Sequence, residues 1–250
     1  MRVQSLWRYP VKSMQGESRH ELRIGSHGVV GDRSFGVLDL GPRTVISAKR
    51  EGRLLDASAR IAPEGLRVTL PDGREFAPGT GLDDSLSTWL GRAVALIDAA
   101  SLGAATYECQ EDFEDDESPS VQWEGPEGSF VDESALHLLS SAELEQLTRE
   151  RPELQWDARR FRPNVVLDTE GGAFVTGESG WKVRLGEAEI EIVNNCSRCV
   201  MTTRPQPGSL ERQLEILRHV SRVHGNDVGV RARVILPGTV RVGDFVEVRD

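Results

Sequence analysis

A mainly β fold with a few flanking helices, of α+β type and divided into two units, is what this 250-residue sequence predicts. Three observations carry the expectation. Short apolar alternations of period two recur along the chain and are broken by Gly, Pro and Asp turns, the signature of half-buried strands. Only a few segments show a helical stripe. A single strongly acidic stretch, with six of its seven residues acidic between Glu111 and Glu117 and Ser118-Pro119-Ser120 following, is too polar to bury itself and marks a junction.

In chain order, Val3 to Tyr9, Val29 to Asp39, Thr44 to Ala48, Leu66 to Leu70 and Val94 to Asp98 alternate and read as strands of a first unit, residues 1–110. Leu82, Leu86, Trp89 and Leu90 share one helical face that stops at Gly91, a glycine suited to a left-handed C-terminal cap. Residues 111–120 form the acidic linker, expected as a solvated loop, with docking of a basic partner as the rival reading. The second unit is 121–250. Ser140-Ser141-Ala142-Glu143 has capping-box spacing before the apolar Leu144 and Leu147, so a helix should start there, with an amino end suited to an anion. A further helix is expected from Ser209 to about Val223, burying Leu210, Leu214, Leu217 and Val220. The tail from Val230 to Val248 alternates again around Pro237-Gly238 and should close the sheet.

Forty acidic against thirty basic residues give a net charge of −10, which opposes general nucleic-acid binding and requires any anion site to be local. There is no apolar run long enough for a membrane-crossing helix, and the amino terminus enters strand-like alternation without a signal-peptide stretch, so a cytoplasmic protein without membrane attachment is expected. Three cysteines are too few for a disulfide framework in this length. Cys109 reads as a bystander.

The chemistry concentrates in Asn195-Cys196-Ser197-Arg198-Cys199-Val200-Met201-Thr202-Thr203. A thiolate is a soft ligand, a neighbouring cation keeps it ionised, and a guanidinium offers forked donors to phosphate. The C-x-x-C spacing also fits half a zinc site or a dithiol pair, but the five histidines supply no second half, and a β-branched run leading to Pro205 and Pro207 does not suit a helix-opening redox motif. Two structural cysteines in a buried strand remain open. Strand alternation would set Cys196 and Arg198 on one face and Cys199 on the other. His137 reads as a hydrogen-bonded core residue rather than a general acid, Asp32 as a turn aspartate with orientation of Arg33 as the rival reading, and Trp123, Trp156 and Trp181 as packing anchors rather than a substrate cage.

Tyr9-Pro10-Val11-Lys12-Ser13, Arg160-Phe161-Arg162-Pro163-Asn164 and the Cys-Ser-Arg-Cys-Val-Met-Thr-Thr run resemble, in that order, the motifs of the MOSC superfamily of molybdenum cofactor proteins. The likeness covers nearly the whole chain and is to the branch with an N-terminal β-barrel domain before the MOSC β-barrel core, which includes the amidoxime-reducing component. The resemblance implies that Cys199 binds molybdenum through its thiolate and is the catalytic ligand. It also implies a cofactor-binding set of Lys12, Ser13, Arg33, Ser140, Ser141, Arg162, Asn164, Ser197 and Arg198 for a pterin dithiolene ending in phosphate. Arg231 stands where the amidoxime-reducing relatives carry an aromatic residue.

The activity so implied is reduction of N-hydroxylated small molecules by oxygen-atom transfer. Without a C-x4-C-x2-C run after the core, no iron-sulfur cluster is expected in this chain, and electrons should come from a separate protein of ferredoxin or flavin reductase type. The alternative implied function is a molybdenum cofactor or sulfur carrier without turnover.

Overall fold

The computed structural model describes residues 1–112, 114, 115, 117–169 and 179–249. It is built mostly of strands, with four α-helices among the described residues: α1 (Leu82–Leu90), α2 (Ser141–Glu150), α3 (Ala158–Phe161) and α4 (Leu214–Val223). Among the described residues, no helix is long and apolar enough to cross a membrane.

The largest sheet has eight strands, in the order Val246–Arg249, Lys182–Leu185, Ala188–Ser197, Asp227–Leu236, Leu136–Ser140, Val165–Asp168, Arg2–Arg8 and Glu17–Arg19. It curls until the two sides meet at a bridge between Arg2 and Phe245. The concave side is filled by alternating residues such as Val3, Leu6, Leu138, Val165, Ile190, Ile192 and Ala232. Burying this apolar surface is the main term that offsets the entropy of ordering so many strands. Strand Arg2–Arg8 pairs with Val165–Asp168, and Glu21–Gly25 pairs with Gly238–Arg241, so the first residues of the chain are woven into strands from its second half.

One pair in this sheet is parallel, Leu136–Ser140 beside Val165–Asp168. A parallel pair needs a crossover, supplied here by α2 and α3. All five residues of Leu136–Ser140 are buried, as a strand covered on both faces must be. The crossover delivers Arg162 and Asn164 to the strand end beside the Asn195–Thr203 segment.

Strands Phe35–Asp39 and Val94–Asp98 in one small sheet, and Ser58–Ala62, Gly65–Thr69 and Glu75–Phe76 in another, surround a second core of Val11, Val37, Ile46, Leu54, Val68, Leu82, Leu86 and Val94. Helix α1 ends at Gly91, whose φ of 71° is the left-handed cap expected of that glycine. The expected strand over Thr44–Ala48 does not form. Val45 makes a single bridge to Leu38, because the chain turns again at once, with the Arg50 amide donating to the Ser47 carbonyl. The stretch Val29–Asp39 divides into Gly28–Val29 and Phe35–Asp39 around a turn. Helix α4 starts at Leu214, later than expected, because Ser209 has a φ of 71° and Gln206 bridges Leu210. The acidic stretch is partly pinned rather than free: Glu114 takes two hydrogen bonds from Arg218 of α4, at 2.7 and 2.6 Å. Phe113 and Asp116 lie outside the described residues.

Candidate functional site

A cleft between the two cores gathers Lys12, Ser13, Arg33, Arg162, Asn164, Cys196, Ser197, Arg198 and Cys199. Of the residues expected to bind cofactor, only Ser140 and Ser141 are not among its lining. The reason is local. The Ser140 hydroxyl accepts from the Glu143 amide while the Glu143 carboxylate accepts from the Ser140 amide, so the capping box satisfies the helix start from within. The second Glu143 oxygen accepts from the Gly229 amide at 2.9 Å. The anion cradle expected at this helix end is therefore filled by the chain's own carboxylate.

Backbone conformation aims several of these side chains. Among the described residues six non-glycine residues have positive φ, and three of them, Ser13, Arg33 and Arg162, line the cleft. Left-handed backbone costs such residues energy, and its concentration at one place is typical of preorganised sites. Arg162 follows α3 and precedes Pro163, where helix cannot continue. Arg33 donates to the Arg162 carbonyl at 3.1 Å and Arg198 to the neighbouring Phe161 carbonyl at 2.8 Å, so two guanidinium groups clamp the turn that carries a third.

Tyr9, from the same motif as Lys12, carries no site signal of its own in the sequence, yet its ring supports two of the cleft arginines. Arg33 lies over its ring at 4.5 Å and Arg162 at 4.2 Å, within cation–π range. Burial, against the pull of these cations, raises the Tyr9 phenol to about 12. Burial and then repulsion from Arg33 lower Arg162 to about 10. The Arg162 Nη1 donates to the Met14 carbonyl at 2.7 Å, but among the described residues its buried Nη2 has no partner, nor does the buried Nε of Arg198. Buried donors without acceptors are rare and costly. Asp32 does more than turn the chain: it accepts from the Tyr9 amide at 2.7 Å and ion-pairs with Arg33.

Lys12 is deeply set, donating to the Phe130 carbonyl at 2.8 Å and to Asp132 at 2.6 Å above the Tyr107 ring. Burial lowers its pKa despite Asp132. Asp132 also pairs with Lys49 at 3.1 Å, and the two lysines hold its carboxyl well below the usual range although burial opposes this. Neither Asp132 nor Lys49 carries a sequence signal, lying in irregular segments outside any periodic motif. Ser13 accepts from the Ala48 amide at 2.9 Å, leaving its own hydroxyl proton to donate. Asn164 bridges strands, accepting from the His137 amide and donating to the Trp7 carbonyl, each at 3.3 Å.

The cysteines depart from the expected alternation. Cys196 and Cys199 line the same cleft, because strand Ala188–Ser197 ends before Cys199 and a 3-10 turn, Val200–Thr203, begins after it. Period-two reasoning does not extend past Ser197, and the β-branched run read as unsuited to opening a helix forms a 3-10 turn. Cys196 is buried and takes a 2.8 Å hydrogen bond from Arg198 Nη1. Burial opposes its ionisation, yet Arg198 and then His137 outweigh that and pull the thiol down to about 6. His137 is thus part of the cleft wall, not merely core. Its closeness requires Gly229, where a Cβ would lie 2.5 Å from His137 Nε2. Arg231 closes the mouth through an ion pair to Glu133 and a 3.0 Å hydrogen bond to Ser197 Oγ. Of the other motif arginines, Arg160 is spent on four backbone carbonyls and Arg159 on Asp157.

Comparison with known proteins places two family models on the chain. The MOSC N-terminal β-barrel domain matches residues 1–89 and the MOSC domain residues 126–247. Mitochondrial amidoxime-reducing component 1 of Mus musculus is 33% identical over 131 residues, which cover 47% of this chain and 37% of that protein. Mitochondrial amidoxime reducing component 2 of Rattus norvegicus is 28% identical over 254 residues, covering 86% and 71%. Molybdenum cofactor sulfurase of Oryza sativa subsp. japonica is 27% identical over 237 residues, 80% of this chain but 28% of that protein. The match thus spans under two fifths of the mouse relative. A solved structure, the YuaD protein from Bacillus subtilis, shares the fold at a TM-score of 0.51 and 12% identity over 99% of this chain and 94% of that one.

Proposed function

The chain belongs to the MOSC family with an N-terminal MOSC β-barrel domain, and on that premise we propose that it is a molybdenum cofactor oxidoreductase that reduces N-hydroxylated small molecules. The observation that carries the reading is the pair of buried, unpartnered guanidinium nitrogens, Arg162 Nη2 and Arg198 Nε, in a cleft that also holds two cysteines. That donor set fits a group with a phosphate at one end and a thiolate-ligated metal at the other.

In this reading Arg162 and Arg198 hold the phosphate, with Ser13 donating its hydroxyl and Lys12 and Arg33 supplying positive field. Asp32 and Asp132 fix the latter two cations so that little reorganises on binding. Cys199 is the metal ligand: among the described residues no hydrogen bond engages its sulfur, whereas the Cys196 sulfur is already held by Arg198. When bound, the molybdenum cofactor supplies oxygen-atom transfer and electron storage. Arg198 has two tasks, its Nε toward the anion and its Nη1 toward Cys196, and His137 helps keep the Cys196 thiol deprotonated. Arg231 and Glu133 at the mouth stand where an incoming substrate must pass. Electrons come from a separate redox protein of ferredoxin or flavin reductase type.

The test is turnover. Protein loaded with molybdenum cofactor and given reduced viologen should consume an amidoxime through many cycles, lose this in Cys199→Ala, and fail with NADH alone. Transfer of cofactor to an apo-enzyme with no repeated turnover would instead establish a carrier.

A further inference from the structure

Outside the residues that line the cleft, the last residue of α2 meets one histidine of α4 and the histidine that caps it. Glu150 Oε2 lies 2.8 Å from His219 Nε2 and 2.7 Å from His224 Nε2. The three potential ligand atoms all lie within 4.8 Å of one another. The carboxylate is oriented from behind, since Gln146 Nε2 donates to its other oxygen, Oε1, at 2.9 Å. His219 is buried and its ring packs on Trp156 at 5.9 Å, so this imidazole is held in place. Glu150 and His224 remain partly open to solvent, which leaves an approach to the centre of the group. The hydrogen bonds from the two histidines bring the Glu150 carboxyl down to about 2 although burial works against them.

We propose that Glu150, His219 and His224 form a binding site for one zinc ion, separate from the cofactor cleft. Two imidazole nitrogens and one carboxylate oxygen are a donor set that zinc takes with a fourth position left for water. Hard cations such as magnesium and calcium want oxygen ligands and do not suit it. The present spacings are those of hydrogen bonds. Zinc at its usual bond lengths of roughly 2.0–2.2 Å would set the ligand atoms about 3.3 Å apart, reached by small side-chain rotations that place the ion where the shared protons now lie. The hydrogen bond from Gln146 to the carboxylate and the packing of Trp156 are the kind of support such ligands need. Because Glu150 ends α2, His219 lies within α4 and His224 caps it, the ion would tie the crossover helix to the helix packed on the 3-10 turn after Cys199.

The test uses full-length chain carrying Cys196→Ser and Cys199→Ser, so that cleft thiols do not compete, titrated with zinc chloride by calorimetry. One equivalent should bind and raise the unfolding temperature. Glu150→Gln and His224→Ala should each weaken binding by more than the roughly tenfold that loss of even an outer-shell partner produces. Should His224→Ala fail to fold, imidazole nitrogen spectra of the unsubstituted histidines decide. Zinc should shift the Nε2 resonances of two of the five histidines, His219 and His224. No uptake in this background, uptake unchanged by Glu150→Gln, or shifts confined to other histidines would overturn the proposal.

Discussion

Arg198 donates through Nη1 to the Cys196 sulfur at 2.8 Å and keeps its buried Nε without a partner. One guanidinium thus stabilises a thiolate and still has a donor for an anion.

Cys196 should react as a thiolate near neutrality in cofactor-free protein. Peptide-resolved alkylation with iodoacetamide should show a midpoint near pH 6, and Arg198→Gln should move it up toward the ordinary thiol value of about 8.5. The folded value is depressed, so this group's contribution to stability is fully present above about pH 8.5 and is lost as pH falls through about 6. A Cys196 midpoint unmoved by Arg198→Gln would disprove the electrostatic account.

The unpartnered nitrogens should make the cofactor-free cleft an anion receptor. Phosphate should stabilise the protein by mass action, about 2.7 kcal/mol at a hundredfold excess over Kd, and Arg162→Met should abolish most of that gain. An equal gain in both proteins would mean that phosphate binds elsewhere.

Ser140 should matter for stability and not for loading. Ser140→Ala removes an N-cap and should cost about 1 kcal/mol in urea unfolding, with molybdenum content unchanged. Loss of metal at full stability would return Ser140 to the cofactor set.

Asp132 neutralises Lys12 and Lys49 together. Its folded pKa is depressed, so the contribution of this cluster to stability is present above about pH 4 and is lost as acid protonates the carboxylate. Asp132→Asn should flatten that part of the acid unfolding profile. A profile identical to wild type would remove Asp132 from the cluster's energetics.

Much of this was readable from local patterns. The strand over Val94–Asp98, helix α1 with its Gly91 cap and the capping box at Ser140 all follow rules that act within a few residues. The same locality limited the reading of the site. The capping box reads equally as an anion cradle until Glu143 is seen to fill it. Cys196 and Cys199 were assigned to opposite faces by a period that ends at Ser197, where the strand ends. Asp132 and His137 reach the cleft, and Tyr9 and Lys49 the residues around it, only through strand order and crossover, and a tyrosine, lysine, aspartate or histidine outside any periodic motif has no spacing to reveal its partners.

Metal analysis of gently purified protein, made in a host that synthesises the molybdenum cofactor, tests the central claim most directly. The account predicts molybdenum close to one atom per chain in wild type and in Cys196→Ala, and none in Cys199→Ala. Equal loss from both variants, or a cleft that carries zinc in place of molybdenum, would contradict it.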